Sequence, residues 1–207
     1  MAKGTAARLL SATAAAAALC GCMNFSALDD LGTASPAGSP FDKALFEDYA
    51  FLARSFGEMG QASYAAFDQN ASYSLASADN QVAALANAFA DKALAISRGE
   101  VVNPEPSRDI KTHDLRDRLV RALTTGSGVY PRDAARAQAD WDCWRLNLEV
   151  PSQAAAAERC HRSFEVTLVR LESEAKAVAA AAAAEKKAAA QTPAEERPSQ
   201  PVLEDSE

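Results

Sequence analysis

The stretch that decides the fold is Ala134-Ala-Arg-Ala-Gln-Ala-Asp-Trp-Asp-Cys143-Trp144, running on through Val150-Pro151-Ser152 to Cys160-His161-Arg162-Ser163-Phe164 and Leu171. Ala137, Trp141, Trp144 and Leu148 recur at helical steps, and Ala157, Cys160, Phe164, Leu168 and Leu171 do so beyond Pro151. Steps of three and four place apolar side chains on one helical face. Two helices joined at a proline turn predict an antiparallel hairpin. Cys143 stands eight residues before Pro151 and Cys160 nine after it, so the register sets the two thiols side by side. The spacing predicts a bond between them, with Trp141, Trp144 and Phe164 around it.

Working outward, the same periodicity predicts three earlier helices. The first begins near Phe41 and carries Leu45, Tyr49, Leu52, Phe56 and Met59; Gly57 and Gly60 are expected to weaken its end, and Asp68-Gln69-Asn70 to mark a turn. The second carries Val82, Leu85, Phe89, Ala93 and Ile96 and stops at Arg98-Gly99, a cation and a left-handed cap suited to a helix C-terminus. Pro104 and Pro106 imply an extended loop. A short third helix with Leu115, Leu119, Ala122 and Leu123 is expected to close at Gly126 and Gly128, and Pro131 suits the first turn of the next. No window alternates like a strand. The expected fold is all-α: a small bundle of about five helices over residues 41–171, stapled by one disulfide.

Beyond Leu171 the large apolar residues stop. Residues 172–191 are mostly Ala with Lys and Glu, good helix formers without a core-building face, and predict an exposed helical rod of roughly 30 Å. Residues 192–207, rich in acids and proline, predict a disordered acidic tail.

The N-terminus fixes the expected compartment. Lys3 and Arg8 precede an apolar run from Leu9 to Leu19, which is too short to span a bilayer and has the build of a secretory signal. It ends in Leu19-Cys20-Gly21-Cys22, which resembles the box of a bacterial lipoprotein signal, with small Gly21 immediately before Cys22. Residues 1–21 are therefore expected to be a signal peptide, Cys22 to carry a diacylglyceryl anchor, and residues 22–40, rich in Ser, Gly, Ala and Pro, to be a flexible tether. Met23 in place of Asp favours the outer membrane, periplasmic face, over the inner membrane. Loss of Lys3 and Arg8 with the signal lowers the net charge from −7 to −9, which excludes a phosphate-backbone partner; no nucleic acid is expected. With Cys22 acylated, Cys143 and Cys160 remain as an even pair in an oxidising compartment.

Catalytic groupings are sparse. His161 beside Cys160 suggests a metal site, but Cys143, Cys160 and His161 supply three ligands against the four of a structural zinc site, and a disulfide consumes both thiols; no metal and no cofactor are expected. Asp140 and Asp142 flank Trp141, so the helix is expected to turn at least one of them to water. Trp141, Trp144 and Phe164 read primarily as core, and alternatively as a binding surface for a glycan or peptide.

Two runs carry a resemblance: Phe89-Ala-Asp-Lys-Ala-Leu-Ala-Ile-Ser-Arg-Gly99, and Ala135-Arg-Ala-Gln-Ala139 leading to Asp142-Cys-Trp144, with Cys160 and Phe164 after them. Residues 41–171 resemble the N-terminal helical module of alphaproteobacterial OmpA-family envelope lipoproteins. The peptidoglycan-binding domain that follows that module in the family has no counterpart here, so none of its binding residues carries over. The resemblance implies an envelope context, and with the lipoprotein box it gives the expected function: a non-enzymatic, lipid-anchored structural or adaptor component of the periplasm and outer membrane, whose partner is an envelope protein or peptidoglycan. The alternative is a cell-wall ligand module with a Trp-lined groove.

Overall fold

The computed structural model describes residues 26–70 and 73–191, with side chains given outside 61–80 and 191. The described residues form six α-helices and no strand: α1 (Ser26–Leu31), α2 (Pro40–Asn70), α3 (Tyr73–Ser97), α4 (Ile110–Val129), α5 (Pro131–Asn147) and α6 (Ala154–Gln191), with a 3-10 turn at Pro151–Gln153 leading into α6. The all-α class, the single disulfide and the long final helix are as expected. The signal peptide, Cys22 and the acidic tail lie outside the described residues.

Local chemistry explains where the helices begin and end. Ser39 and Asp42 cap α2 reciprocally: Ser39 Oγ accepts from Asp42 N at 3.2 Å and Asp42 Oδ2 accepts from Ser39 N at 2.8 Å. Two orphan donors are thereby satisfied. At the end of α3, Gly99 takes a φ of 79° and Glu100 N reaches back to the Ala95 carbonyl at 3.0 Å, the wrapped ending that a left-handed glycine permits. Asp109 caps α4 by accepting from Thr112 N at 3.1 Å. Pro131 and Pro151 open α5 and the 3-10 turn.

Two helix boundaries differ from expectation. Residues 22–40 are expected to be a flexible tether, but Ser26–Leu31 is a helix and Ala27 and Leu31 are buried in the core. The reason lies in α2. A Cβ at Gly57 would stand 2.4 Å from Leu28 Cδ2, so the missing side chain makes the seat into which Leu28 packs. Gly57 and Gly60 do not end α2, which runs on to Asn70. α4 closes at Val129, one residue past Gly128, as expected; Gly126 inside it is buried where Leu171 of α6 fills the space of its absent side chain, 2.5 Å from a would-be Cβ. All four glycines lie inside helices; at Gly57 and Gly126 the backbone is bare because another helix comes close.

The core has two parts that meet at α5. Tyr49, Phe56, Phe89 and Ile96 of α2 and α3 gather with Leu31, Ala135, Ala139 and Cys143. Leu119, Phe164, Leu168 and Leu171 of α4 and α6 gather with Ala134, Ala137, Trp141 and Trp144. One stripe of α5 thus serves each cluster, and α5 is the central helix. Leu148, expected to extend its stripe, is half exposed just past the helix end. The sulphur bridge Cys143–Cys160, with Cα atoms 5.7 Å apart, ties α5 to α6 at the junction of the two clusters.

Candidate functional site

The chemistry concentrates on α5, where Gln138, Asp140, Asp142, Arg145 and Asn147 are all buried. The expectation that one of Asp140 and Asp142 faces water is therefore corrected: neither does. The two carboxylates point into different surroundings, and each is surrounded by donors from other elements.

Asp142 is fully enclosed. Its Oδ2 accepts from the Tyr49 hydroxyl at 2.5 Å and pairs with Lys92 Nζ at 3.2 Å, while Oδ1 accepts from Glu105 N at 2.7 Å. Lys92 also reaches Glu105 Oε1 at 2.8 Å. Gln138 donates to Tyr49 Oη at 3.1 Å and to the Val102 carbonyl at 2.8 Å, and Trp141 Nε1 donates to the Glu105 carbonyl at 2.9 Å. Burial pushes the Asp142 carboxyl up to about 6, with Lys92, the Glu105 amide and Tyr49 limiting the rise. Burial alone would lower the Lys92 ammonium, but Asp142 and Glu105 overcome it and hold Lys92 above the usual lysine range. Burial, reinforced by the adjacent carboxylate, also raises the Tyr49 phenol.

The network fixes a loop. Residues between α3 and α4 run along α5 in register: Val102 at Gln138, Glu105 at Asp142, Asp109 at Arg145. Arg116 of α4 clasps the same loop, donating to the carbonyls of Glu105 at 2.9 Å and Pro104 at 3.2 Å. A loop without regular structure must satisfy its backbone groups somewhere. Here side chains of α4 and α5 do so.

Asp140 faces α6. Its Oδ2 accepts from Ser163 Oγ at 2.7 Å and from Thr167 Oγ1 at 3.3 Å, and Oδ1 pairs with Arg136 Nε at 3.0 Å. Burial raises its pKa and these partners restrain the rise. Arg136 also lies 3.8 Å from Asp48 of α2, at the floor of an open polar cleft of about 250 Å³ lined by Ala44, Glu47, Asp48, Arg132, Asp133 and Arg136. Burial pushes Asp48 up to about 6, with Arg136 restraining the rise and the Asp140 and Glu47 carboxylates adding to it.

The residues read as a candidate binding surface are in the core. Trp141 and Phe164 have no exposure and Trp144 is 9% exposed. Trp141 meets Trp144 edge-on at 5.4 Å between centroids, and Trp144 stacks on His161 at 3.9 Å. The guanidinium of Arg145 sits 5.9 Å and 5.7 Å from the two indole centroids, over their faces. The trio is packed in the core, as the primary reading of these residues expects. His161, which stands beside Cys160 in the sequence, stacks on Trp144, while Cys160 is bonded to Cys143. Among the described residues no group of three or more His, Cys, Asp and Glu side chains is arranged to hold a metal ion.

The sequence reasoning missed Tyr49, Lys92 and Glu105 as partners of Asp142. One signal was available: Ala135, Ala139 and Cys143 form a second small-residue stripe on α5, beside that of Ala137, Trp141 and Trp144. A helix with two such stripes is covered on both sides, and the polar residues between them must find partners within the protein. No helix among the described residues is long and apolar enough to cross a membrane. No protein-family model, curated protein or solved structure matches the chain.

Proposed function

We propose that the chain is a non-enzymatic adaptor of the bacterial envelope, anchored by lipid at Cys22 to the periplasmic face of the outer membrane. The observation that carries this reading is α6. Its first half is built into the bundle, and from Ala179 to Ala190 every residue is exposed. That exposed part is roughly 18 Å long at the helical rise. A stapled body with a helical arm suits a protein that holds one component at a distance from another. The buried carboxylates support the same reading, because Asp142 is closed to solvent and spends its lone pairs on the fold. The partner proposed for the arm is an envelope protein or peptidoglycan.

The test is crosslinking in cells from Ala181 and Ala189, alongside fractionation of a Cys22→Ala variant. Capture of one envelope protein or of peptidoglycan is expected from both sites, together with release of the variant from the membrane fraction. Membrane association unchanged by Cys22→Ala, or an arm that captures nothing, would sink the corresponding half of the proposal.

A further inference from the structure

We infer that the open cleft between the N-terminal part of α2 and the start of α5 binds a small dipolar ligand, with an ammonium against its Glu47–Asp48 wall and a carboxylate against its Arg132 wall, as a free amino acid would present them. The inference goes beyond the anchor and the arm and depends on neither.

The cleft holds about 250 Å³, below the roughly 300–1,000 Å³ of sites that take drug-sized ligands, and its lining is charged apart from Ala44. The charges differ in how well they are paired. Asp133 is held by Arg170 of α6 at 3.2 Å, and Arg136 by Asp140 at 3.0 Å. Asp48 is left with Arg136 at 3.8 Å, although only 25% of its side chain is exposed. Glu47 beside it forms no ion pair among the described residues and adds charge of the same sign. Burial lifts the Asp48 carboxyl to about 6, the Asp140 and Glu47 carboxylates add to the rise, and Arg136 and Arg132 restrain it. A cation set against Asp48 supplies the partner that the fold withholds.

The facing wall has the other sign. Arg132 is exposed and forms no ion pair among the described residues. It stands in the first turn of α5, a helix of 17 residues whose start carries no side-chain cap. The open first-turn amides and the helix dipole favour an anion there, and Arg132 adds a full positive charge. A lone anion in the cleft would meet Glu47 and Asp48, and a lone cation would meet Arg132 and Arg136. A ligand that carries both charges satisfies both walls. With Ala44 as the apolar part of the lining, a short side chain suits the space that remains.

The test is a titration of the full chain with alanine, followed at its backbone amides by NMR. N-acetylalanine, which lacks the ammonium, and alaninamide, which lacks the carboxylate, probe one wall each. Alanine is expected to shift the amides of Asp48, Arg132 and Asp133 saturably, and each blocked form to bind roughly tenfold more weakly. Arg132→Gln should bring alanine down to the affinity of alaninamide and leave alaninamide itself unmoved. Asp48→Asn should bring it down to that of N-acetylalanine. Each variant is required to melt as the parent does, and because Arg132 lies in solvent its arm of the test stands even if Asp48→Asn does not fold. The charged groups facing Asp48 are Glu47 on α2 and Arg132, Asp133, Arg136 and Asp140 on α5, with Arg170 of α6 behind Asp133. Because the ligand's ammonium favours the ionised Asp48 carboxyl, alanine should bind more weakly as the pH falls through 6 in the parent and not in Asp48→Asn. Shifts that never saturate, a blocked form that binds as tightly as alanine, or an equal pH effect in Asp48→Asn would each overturn the inference.

Discussion

Helix α5 and the outer part of α6 carry the same number of charged side chains, six in Pro131–Asn147 and six in residues 172–191. The first has twelve of its seventeen residues buried, Asp140, Asp142 and Arg145 among them, and the second is exposed along its last turns. Mean hydropathy would assign them the other way round, since the outer part of α6 is mainly alanine. The difference lies in what each side chain can reach. The two α5 carboxylates find Lys92, Arg136, Ser163 and the Glu105 amide within hydrogen-bonding distance, so each is paired where it is buried, while Arg145 Nε and Asn147 Oδ1 stay buried without a hydrogen-bond partner. The alanines of α6 bury too little area each to hold a neighbour, whatever their polarity.

The comparison breaks most visibly at Lys92. Removing its ammonium in Lys92→Met leaves the Asp142 carboxylate fully buried without its cation. Losing one partner of such a pair costs about 3–5 kcal/mol, to be read from urea unfolding well above pH 6. With Lys92 gone the carboxyl rises further above 6, so the variant escapes part of the cost by protonating where the parent is still ionised, and the penalty shrinks as the pH falls toward 6 and is constant below it. A penalty of the same size at both pH values would mean that Asp142 is not charged in the native protein.

Next in size is the staple. Cys143→Ser opens the bond to Cys160 and frees the unfolded chain from a closed loop, at a cost of about 3 kcal/mol. A melting temperature indifferent to reductant would count against it.

The pH profile of the unaltered protein is a smaller effect with a definite sign. Asp142 and Asp48 sit near 6 when folded, above the ordinary aspartate value of about 3.9. The native state therefore holds these protons more tightly than the unfolded chain does. Their contribution to stability is fully present below the ordinary value and is lost as the pH rises through 6. Glu172, held below the usual carboxylate range by its bond to Arg118, acts oppositely and withdraws stability as the pH falls through its own lowered value. Stability should peak on the acid side of neutrality, fall as the pH rises through 6 and level off above it. Asp142→Asn should flatten that fall, and an equally steep profile in the variant would assign it to other groups.

What the sequence made legible follows from the same contrast. Helix ends were readable where one residue decides the matter locally: Gly99 by its positive φ, Pro131 and Pro151 by the turns they open. The Cys143–Cys160 pairing was readable because a hairpin register depends on counting from one turn. The Asp142 site was not, since Tyr49 lies 93 positions away and Glu105 lies 37 away, and only the packed fold makes them neighbours. Helix α1 was missed for a related reason. Its own residues are those of a tether, and what orders them is a gap at Gly57 on another helix.

The smallest effect sharpens the comparison from its exposed side. Ala184→Gly lies where every neighbouring residue is exposed, so no packing changes and only the helix preference is lost. That preference is worth about 1 kcal/mol in a helix interior. Because residues 179–190 are all exposed, the loss should stay local: amide exchange in the arm speeds up and some helicity disappears, while global unfolding is unmoved. The same alanine-to-glycine change at Ala139, buried between α5 and the α2–α3 cluster, should instead lower global stability, since it removes a packed methyl as well as the preference. If Ala184→Gly also lowered global stability, the arm would be part of the cooperative body, and a spacer held free of it would no longer describe α6.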